Sequence, residues 1–240
     1  MKNYSIYNKS SENMSEIADA SVDIVVFAPP YNIDTQYSDK KDYDYKSFEA
    51  YRDMMNQIIK ECSRVLNKDG LYLNESADTI YSKGKLIALS GLIQKLCLDN
   101  GLKIKERHIN FLQSDNGVEL LDIEHHWSSD YYSTEDSHSN CHQWFIMSKD
   151  PATKFNAPAG KIFYVNYPAN EEGHPCPFSQ EHIDIFLNLL GFKKGMTVLE
   201  PFMGTSRLGV EVVKRGGKYI GYELETKHFD TAKLKFEALN

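Results

Sequence analysis

Between Ser47 and Leu66 the apolar residues Tyr51, Met55, Ile58, Cys62 and Val65 recur at spacings of three and four. That is the stripe of a helix lying on a core. The spacing predicts a helix over 47–66, ended by Asn67-Lys68-Asp69-Gly70, and a short strand over 71–74. A second helix is expected over 81–100, with Leu89, Ile93 and Leu96 on one face and Gly101 as its stop. Ahead of both, Asp23-Ile24-Val25-Val26-Phe27 reads as a buried strand. Residues 102–111 and 143–147 have the pattern of an antiparallel edge pair. Further along, 179–190 reads as a helix and 195–206 as a strand, a glycine-containing loop and the start of a helix over 205–215. A strand over 218–222 and a helix over 226–239 close the chain. Alternating strands and helices of this kind predict an α/β fold. The apolar stripes are core positions and carry no functional assignment.

Composition narrows the class. With 240 residues the chain is long enough for one α/β core with a single insertion. It reads as a single domain over 1–240. No apolar run approaches the roughly 18 residues that span a membrane, and the start Lys2-Asn3-Tyr4-Ser5 has no signal-peptide core. Cys62, Cys97, Cys141 and Cys176 form no CxxC pair and read as reduced thiols of a cytoplasmic protein.

Two sites in the pattern carry chemistry. The predicted strand 23–27 runs into Ala28-Pro29-Pro30-Tyr31. A Pro-Pro pair fixes the backbone at such a strand end, so its carbonyls point outward without reorganising. As a bare motif it is also an ordinary strand-ending turn. The second site is Leu199-Glu200-Pro201-Phe202-Met203-Gly204-Thr205-Ser206. A loop at the carboxyl end of a strand is where an open α/β sheet binds a nucleotide-like ligand. Gly204 allows close backbone approach, and Thr205 or Ser206 is placed to cap the next helix. One βαβ unit later, strand 218–222 ends in Glu223, suited to both hydroxyls of a ribose.

Taken in order, Ala28–Tyr31, His174-Pro175-Cys176-Pro177-Phe178, Leu199–Ser206 and Gly221–Glu223 resemble the β group of S-adenosylmethionine-dependent DNA amino-methyltransferases. In that family the catalytic motif precedes the cofactor motifs, a circular permutation of the common order. The resemblance spans nearly the whole chain and is weakest over 112–170. It implies a Rossmann-like methyltransferase sheet with helices on both faces and an antiparallel edge strand. It implies S-adenosylmethionine as cofactor, with Phe202 and Gly204 around its methionine part and Glu223 on its ribose. His174, Pro175 and Phe178 would line the same pocket, with Glu200, Pro201 and Thr205 in the cofactor loop. The substrate implied is DNA with the target base rotated out of the duplex. Tyr31 would stack on that base, and its exocyclic amine would meet acceptors at position 28 and in the Pro29-Pro30 backbone. N6 of adenine is the expected target, N4 of cytosine the near alternative.

The chain departs from the family twice. Position 28 is normally Asp, Asn or Ser; here it is Ala28. Losing one polar group aimed at a transition state lowers the rate on the order of a hundred- to a thousand-fold. Ala28 therefore reads as an inactivating substitution in an otherwise intact enzyme, as the mark of a lineage that lost activity, or as a gap filled by a neighbour. Asn32 and Asp34 are the nearest candidates in sequence. The intact surroundings favour the first reading, and a silent subunit paired with an active partner stands as the alternative from another class. The second departure is Tyr7-Asn8-Lys9-Ser10, where the family has Gly and an acidic residue near the cofactor's adenine. Asn8 or Ser10 remains able to bond it, whereas Lys9 cannot accept from its amine.

From His108 to Ser148 there is no Lys or Arg, while Asp115, Glu119, Asp122, Glu124, Asp130, Glu135 and Asp136 fall inside. Such a stretch is a poor phosphate binder, and the net charge of −7 points the same way. The expectation is that 112–142 contacts a second subunit, as a homodimer or with another partner, and that DNA recognition is shared. His138, Cys141 and His142 are zinc-type ligands at a spacing that matches no standard site, so no metal is assigned. The polar, tyrosine-rich stretch 33–45 reads as a loop closing over the flipped base.

Overall fold

In the computed structural model, residues 2–37, 44–113, 137–138, 141–154, 161–166 and 173–239 are described. Eleven strands and five helices alternate among them. Strand β1 is Tyr4–Tyr7 and β2 is Val22–Phe27. Helix α1 (Phe48–Val65) follows, capped by Ser47, whose hydroxyl accepts from the Ala50 N–H. Its five predicted core residues are all buried. Strand β3 is Leu66–Ala77 and the short strands β4 and β5 are Ile80–Ser82 and Lys85–Ile87. Helix α2 is Leu89–Asp99. Strands β6 (Lys103–Gln113), β7 (Ser137–His138), β8 (Cys141–Ser148) and β9 (Ile162–Asn166) come next. Helix α3 (Gln180–Leu189), strand β10 (Thr197–Glu200), helix α4 (Arg207–Lys214), strand β11 (Lys218–Tyr222) and helix α5 (Thr226–Glu237) complete the order.

The main sheet has the order β1-β11-β10-β2-β3-β8-β6-β9. The first five strands run parallel, and β8 runs against both neighbours, β3 and β6. The expected antiparallel pair is present, and β9 adds outside it, parallel to β6. A second sheet, β5-β4-β7, is small. Strand β2 is buried on both faces: Val22, Val25 and Phe27 join the core under α1 and α2, while Ile24 and Val26 join the core with α3, α4 and α5. This explains the apolar run Ile24–Phe27. Helices thus cover both faces, as the family resemblance implied.

Two local expectations change. The segment 67–70 does not separate a helix from a short strand. It is a bulge within one long strand, because β3 pairs Leu66 with Val22 and then jumps to Leu71 opposite Ile24. The Asp23 carboxylate anchors it, accepting from the Asn67 amide at 2.7 Å and from the Thr197 N–H at 2.8 Å, which ties β2, β3 and β10 together. The helix expected over 81–100 begins only at Leu89. Lys83 and Gly84, both at positive φ, make the two-residue turn of a β4–β5 hairpin. Gly101 does stop α2, at φ +87°.

Gly70 sits against the neighbouring backbone: a Cβ there would lie 2.9 Å from the Asp23 carbonyl oxygen and 2.6 Å from Leu66 Cδ1. Gly70→Ala is expected to lower stability by about 1–3 kcal/mol, read as a drop in urea midpoint. An unchanged midpoint would mean the bulge yields freely.

Candidate active site

The carboxyl ends of β1, β2, β3, β10 and β11 lie along one edge of the sheet, as their parallel pairing requires. The antiparallel β8 brings its amino end, His142, to the same edge, opposite Ala77. These ends surround a cavity of about 650 Å³. Ala28, Pro29, Pro30 and Tyr31 enter it from β2, and Glu75 from β3. Glu200, Pro201, Phe202, Gly204 and Thr205 enter from β10 and Glu223 from β11. Lys9 and Ser10 come from the segment after β1, and His174 and Phe178 from the segment before α3.

The structure therefore brings together all but two of the predicted site residues. Pro175 is not among the lining residues. Nor is Asn8, whose amide bonds the Glu223 and Leu224 carbonyls while its own carbonyl accepts from Thr226. Asn8 clamps the β1 end to the β11 end. Ser10 donates to Glu12 at 2.8 Å.

The cofactor loop is a tight turn. Its Met203 N–H bonds the Tyr222 carbonyl and its Ser206 N–H bonds the Met203 carbonyl. Gly204 has φ +50°, and a Cβ there would lie 2.7 Å from His174 Nε2, so only glycine fits without moving the imidazole. Ser206 holds the cap position of α4 but at φ 57°, and its hydroxyl makes no cap bond. The expected side-chain cap is replaced by a left-handed backbone turn.

Glu223 accepts from the Gly204 N–H at 2.9 Å and from the Glu225 N–H at 2.7 Å. Burial, opposed by these bonds, pushes its carboxyl up to about 7. Glu200 is fully enclosed, takes the Tyr219 hydroxyl at 2.5 Å, and is pushed up to about 8 by burial. Phe202 packs edge-on against Phe27, with ring centres 5.3 Å apart. An acidic side chain at a strand end, a close-approach glycine and aromatic walls fit a donor that carries a nucleoside.

The other half of the cavity is built around the Pro-Pro corner. The Tyr51 hydroxyl donates to the Pro30 carbonyl at 2.8 Å, so helix α1 braces the corner. Asp44 accepts from the Asn32, Ile33 and Thr35 N–H groups and pins the start of the following segment. Asn32 sits at φ 62° with its amide bonded to the Lys46 backbone at both ends. Neither Asn32 nor Asp34 lines the cavity. The middle of the expected closing loop, 38–43, lies outside the described residues. So does most of the acidic segment, including 114–136.

Behind Tyr31 stands a polar group that the sequence did not disclose. Glu75 and His142 are both buried and hydrogen-bonded to each other. The Tyr31 hydroxyl lies 3.5 Å from Glu75 Oε2 and 3.4 Å from His142 Nδ1. His182, bonded to Ser179, is held neutral by burial, which pulls it down to about 4. Among the described residues no three His, Cys, Asp or Glu side chains are placed to hold a metal, and His142 is engaged with Glu75.

A doubly covered α/β sheet with these groups at its strand ends is the layout in which open α/β sheets hold a nucleotide-like ligand. The family described as DNA methylase, N6_N4_Mtase, matches residues 22–234, and the chain belongs to it. DNA adenine methyltransferase YhdJ of Escherichia coli (strain K12) is 23% identical over 239 residues, covering 93% of this chain and 79% of that protein. Type II methyltransferase M.BglII of Bacillus subtilis is 38% identical over 79 residues, 30% of this chain and 21% of the relative. Among solved structures, PvuII DNA methyltransferase (cytosine-N4-specific) superposes with TM-score 0.73 at 17% identity, covering 98% of this chain and 86% of that one. TTHA0409 of Thermus thermophilus, complexed with S-adenosyl-L-methionine, gives 0.70 at 18% identity, covering 98% and 93%. At such identities these structural likenesses are of fold. No helix among the described residues is long and apolar enough to cross a membrane.

The raised Glu200 has a stability consequence. Its folded value, about 8, lies above the ordinary 4.5. Its contribution is therefore fully present below pH 4.5 and lost as pH rises toward 8. Glu200→Gln, which keeps an acceptor for Tyr219, is expected to gain stability relative to the parent between about pH 5 and pH 8. Thermal melts of the two ligand-free proteins across that range test this; a constant difference would show that Glu200 titrates normally.

Proposed function

We propose that the chain transfers a methyl group from S-adenosylmethionine to the exocyclic amine of a base in DNA, with N6 of adenine as the target. One observation carries this reading: the Pro-Pro corner and the Gly204–Glu223 cradle face one cavity from adjacent parallel strands. Glu223 would hold the ribose hydroxyls, its two oxygens already oriented by backbone N–H groups. Gly204, Phe202 and His174 would enclose the methionine end, and Ser10, which lines the cavity, would face the adenine. The donor supplies an electrophilic methyl on sulfur. The Pro29-Pro30 backbone, braced by the Tyr51 bond to the Pro30 carbonyl, would offer the target amine a main-chain acceptor. Tyr31 lines the place where a flipped base would lie.

Adenine is favoured over cytosine by sequence likeness, since a relative matched along nearly the whole chain is an adenine methyltransferase, whereas the likeness to cytosine-N4-specific PvuII is one of fold. Ala28 supports a second reading, a silent subunit, since the side-chain acceptor at that position is absent. The lack of Lys and Arg from His108 to Ser148 supports a DNA grip shared with a second subunit.

Calorimetry is expected to show uptake of S-adenosylmethionine by the parent. Glu223→Ala should weaken it by about ten- to a hundred-fold, the loss of charge-assisted bonds to a diol. Digestion of DNA after incubation with labelled donor should yield N6-methyladenine. N4-methylcytosine would move the target to the other base, and an absence of donor binding would remove the assignment. Sedimentation showing a monomer with tight DNA binding would remove the shared grip.

A further inference from the structure

We propose that Glu75, held by His142, is the acceptor that replaces the missing side chain at position 28. The inference rests on the methyl-transfer reading above. Strands β2 and β3 are parallel, with Phe27 opposite Asn74. The next residues on each, Ala28 just past the end of β2 and Glu75 still within β3, therefore stand side by side, and both line the cavity with the Pro-Pro corner.

Glu75 is only 6% exposed, at a place in the sheet where burial normally selects an apolar residue. His142 gives its carboxylate a hydrogen-bond partner, and the Tyr31 hydroxyl approaches the same group. A carboxylate has about four lone-pair sites, so a group that is already bonded within the protein is still able to face a substrate N–H. The other candidates are placed elsewhere. Asn32 is bonded to the Lys46 backbone, and Asp34 is outside the cavity lining. Glu200, on the other side of β2, receives the Tyr219 hydroxyl.

In the reaction the amine nitrogen turns one N–H toward Glu75 and the other toward the corner carbonyl. Its lone pair forms the N–CH3 bond as the S–CH3 bond breaks, and that bonding pair leaves on sulfur as a neutral thioether. The methylated nitrogen, now positive, gives one proton to the Glu75–His142 pair and ends neutral.

Four proteins test this: the parent chain, Glu75→Gln, Ala28→Asp, and the double variant. Each is given tritiated S-adenosylmethionine and mixed unmethylated DNA, with donor affinity measured separately by calorimetry. The parent is expected to methylate. Glu75→Gln, which still accepts an N–H but cannot take the proton, should lose on the order of a hundred-fold in turnover with donor affinity within a few-fold, and Ala28→Asp in the double variant should restore it. A merely structural role for Glu75 predicts no such rescue. Glu75→Ser, with and without Ala28→Asp, gives the same comparison if Glu75→Gln fails to fold.

Equal turnover by the parent and Glu75→Gln would overturn the assignment, as would a double variant that stays slow. A silent parent beside an active Ala28→Asp would also overturn it, while leaving methyl transfer as the function. Silence from all four, with the donor bound, would defeat the methyl-transfer reading and this inference with it.

Discussion

The spacing between neighbouring parallel strands sets the reaction geometry of this protein. Strand β2 carries the Pro-Pro corner and β10 the cofactor loop, and they are hydrogen-bonded neighbours. Adjacent strands lie about 4.8 Å apart, so the two halves of the cavity are positioned by a backbone ladder. Asp23 strengthens that constraint by bonding β3 and β10 at once. Helix α1 adds a brace from one face through Tyr51. A corner whose backbone is fixed before substrate arrives needs no reorganisation in the transition state.

Much of this frame was legible from the order of residues. The α1 stripe is a clean three-and-four repeat ending on Val65, and β2 runs apolar from Ile24 to Phe27. What misled was local. Leu86 and Ile87 extend the apolar pattern of α2 backwards, but Lys83 and Gly84 take a hairpin turn that periodicity does not register. The tetrad 67–70 looks like a helix stop and loop, whereas its glycine lets β3 bulge past β2 and continue.

The site divides along the same line. Residues in contiguous motifs, such as Ala28–Tyr31 and Glu200–Thr205, were found because their spacing is short. Asn8 sat in the right segment but turned its amide to the backbone beyond β11. Glu75 and His142 lie 67 positions apart and meet only when β3 pairs with β8. The one signal was Asn74-Glu75-Ser76, a polar run directly after apolar strand residues, which reads equally well as the strand's end. Tyr51 and Asp44 were hidden for a related reason: one looks like core and the other like a solvated loop charge, and each instead anchors the corner segment.

The reversed direction of β8 has a consequence for how such a protein changes. Strand β6 runs toward the reaction edge and β8 starts from it, so the connection between them both departs from and returns to that edge. Its two anchor points are fixed by the ladder, whatever is threaded between them. Evolution can exchange that stretch for another of different length and chemistry while the transfer machinery stays in register.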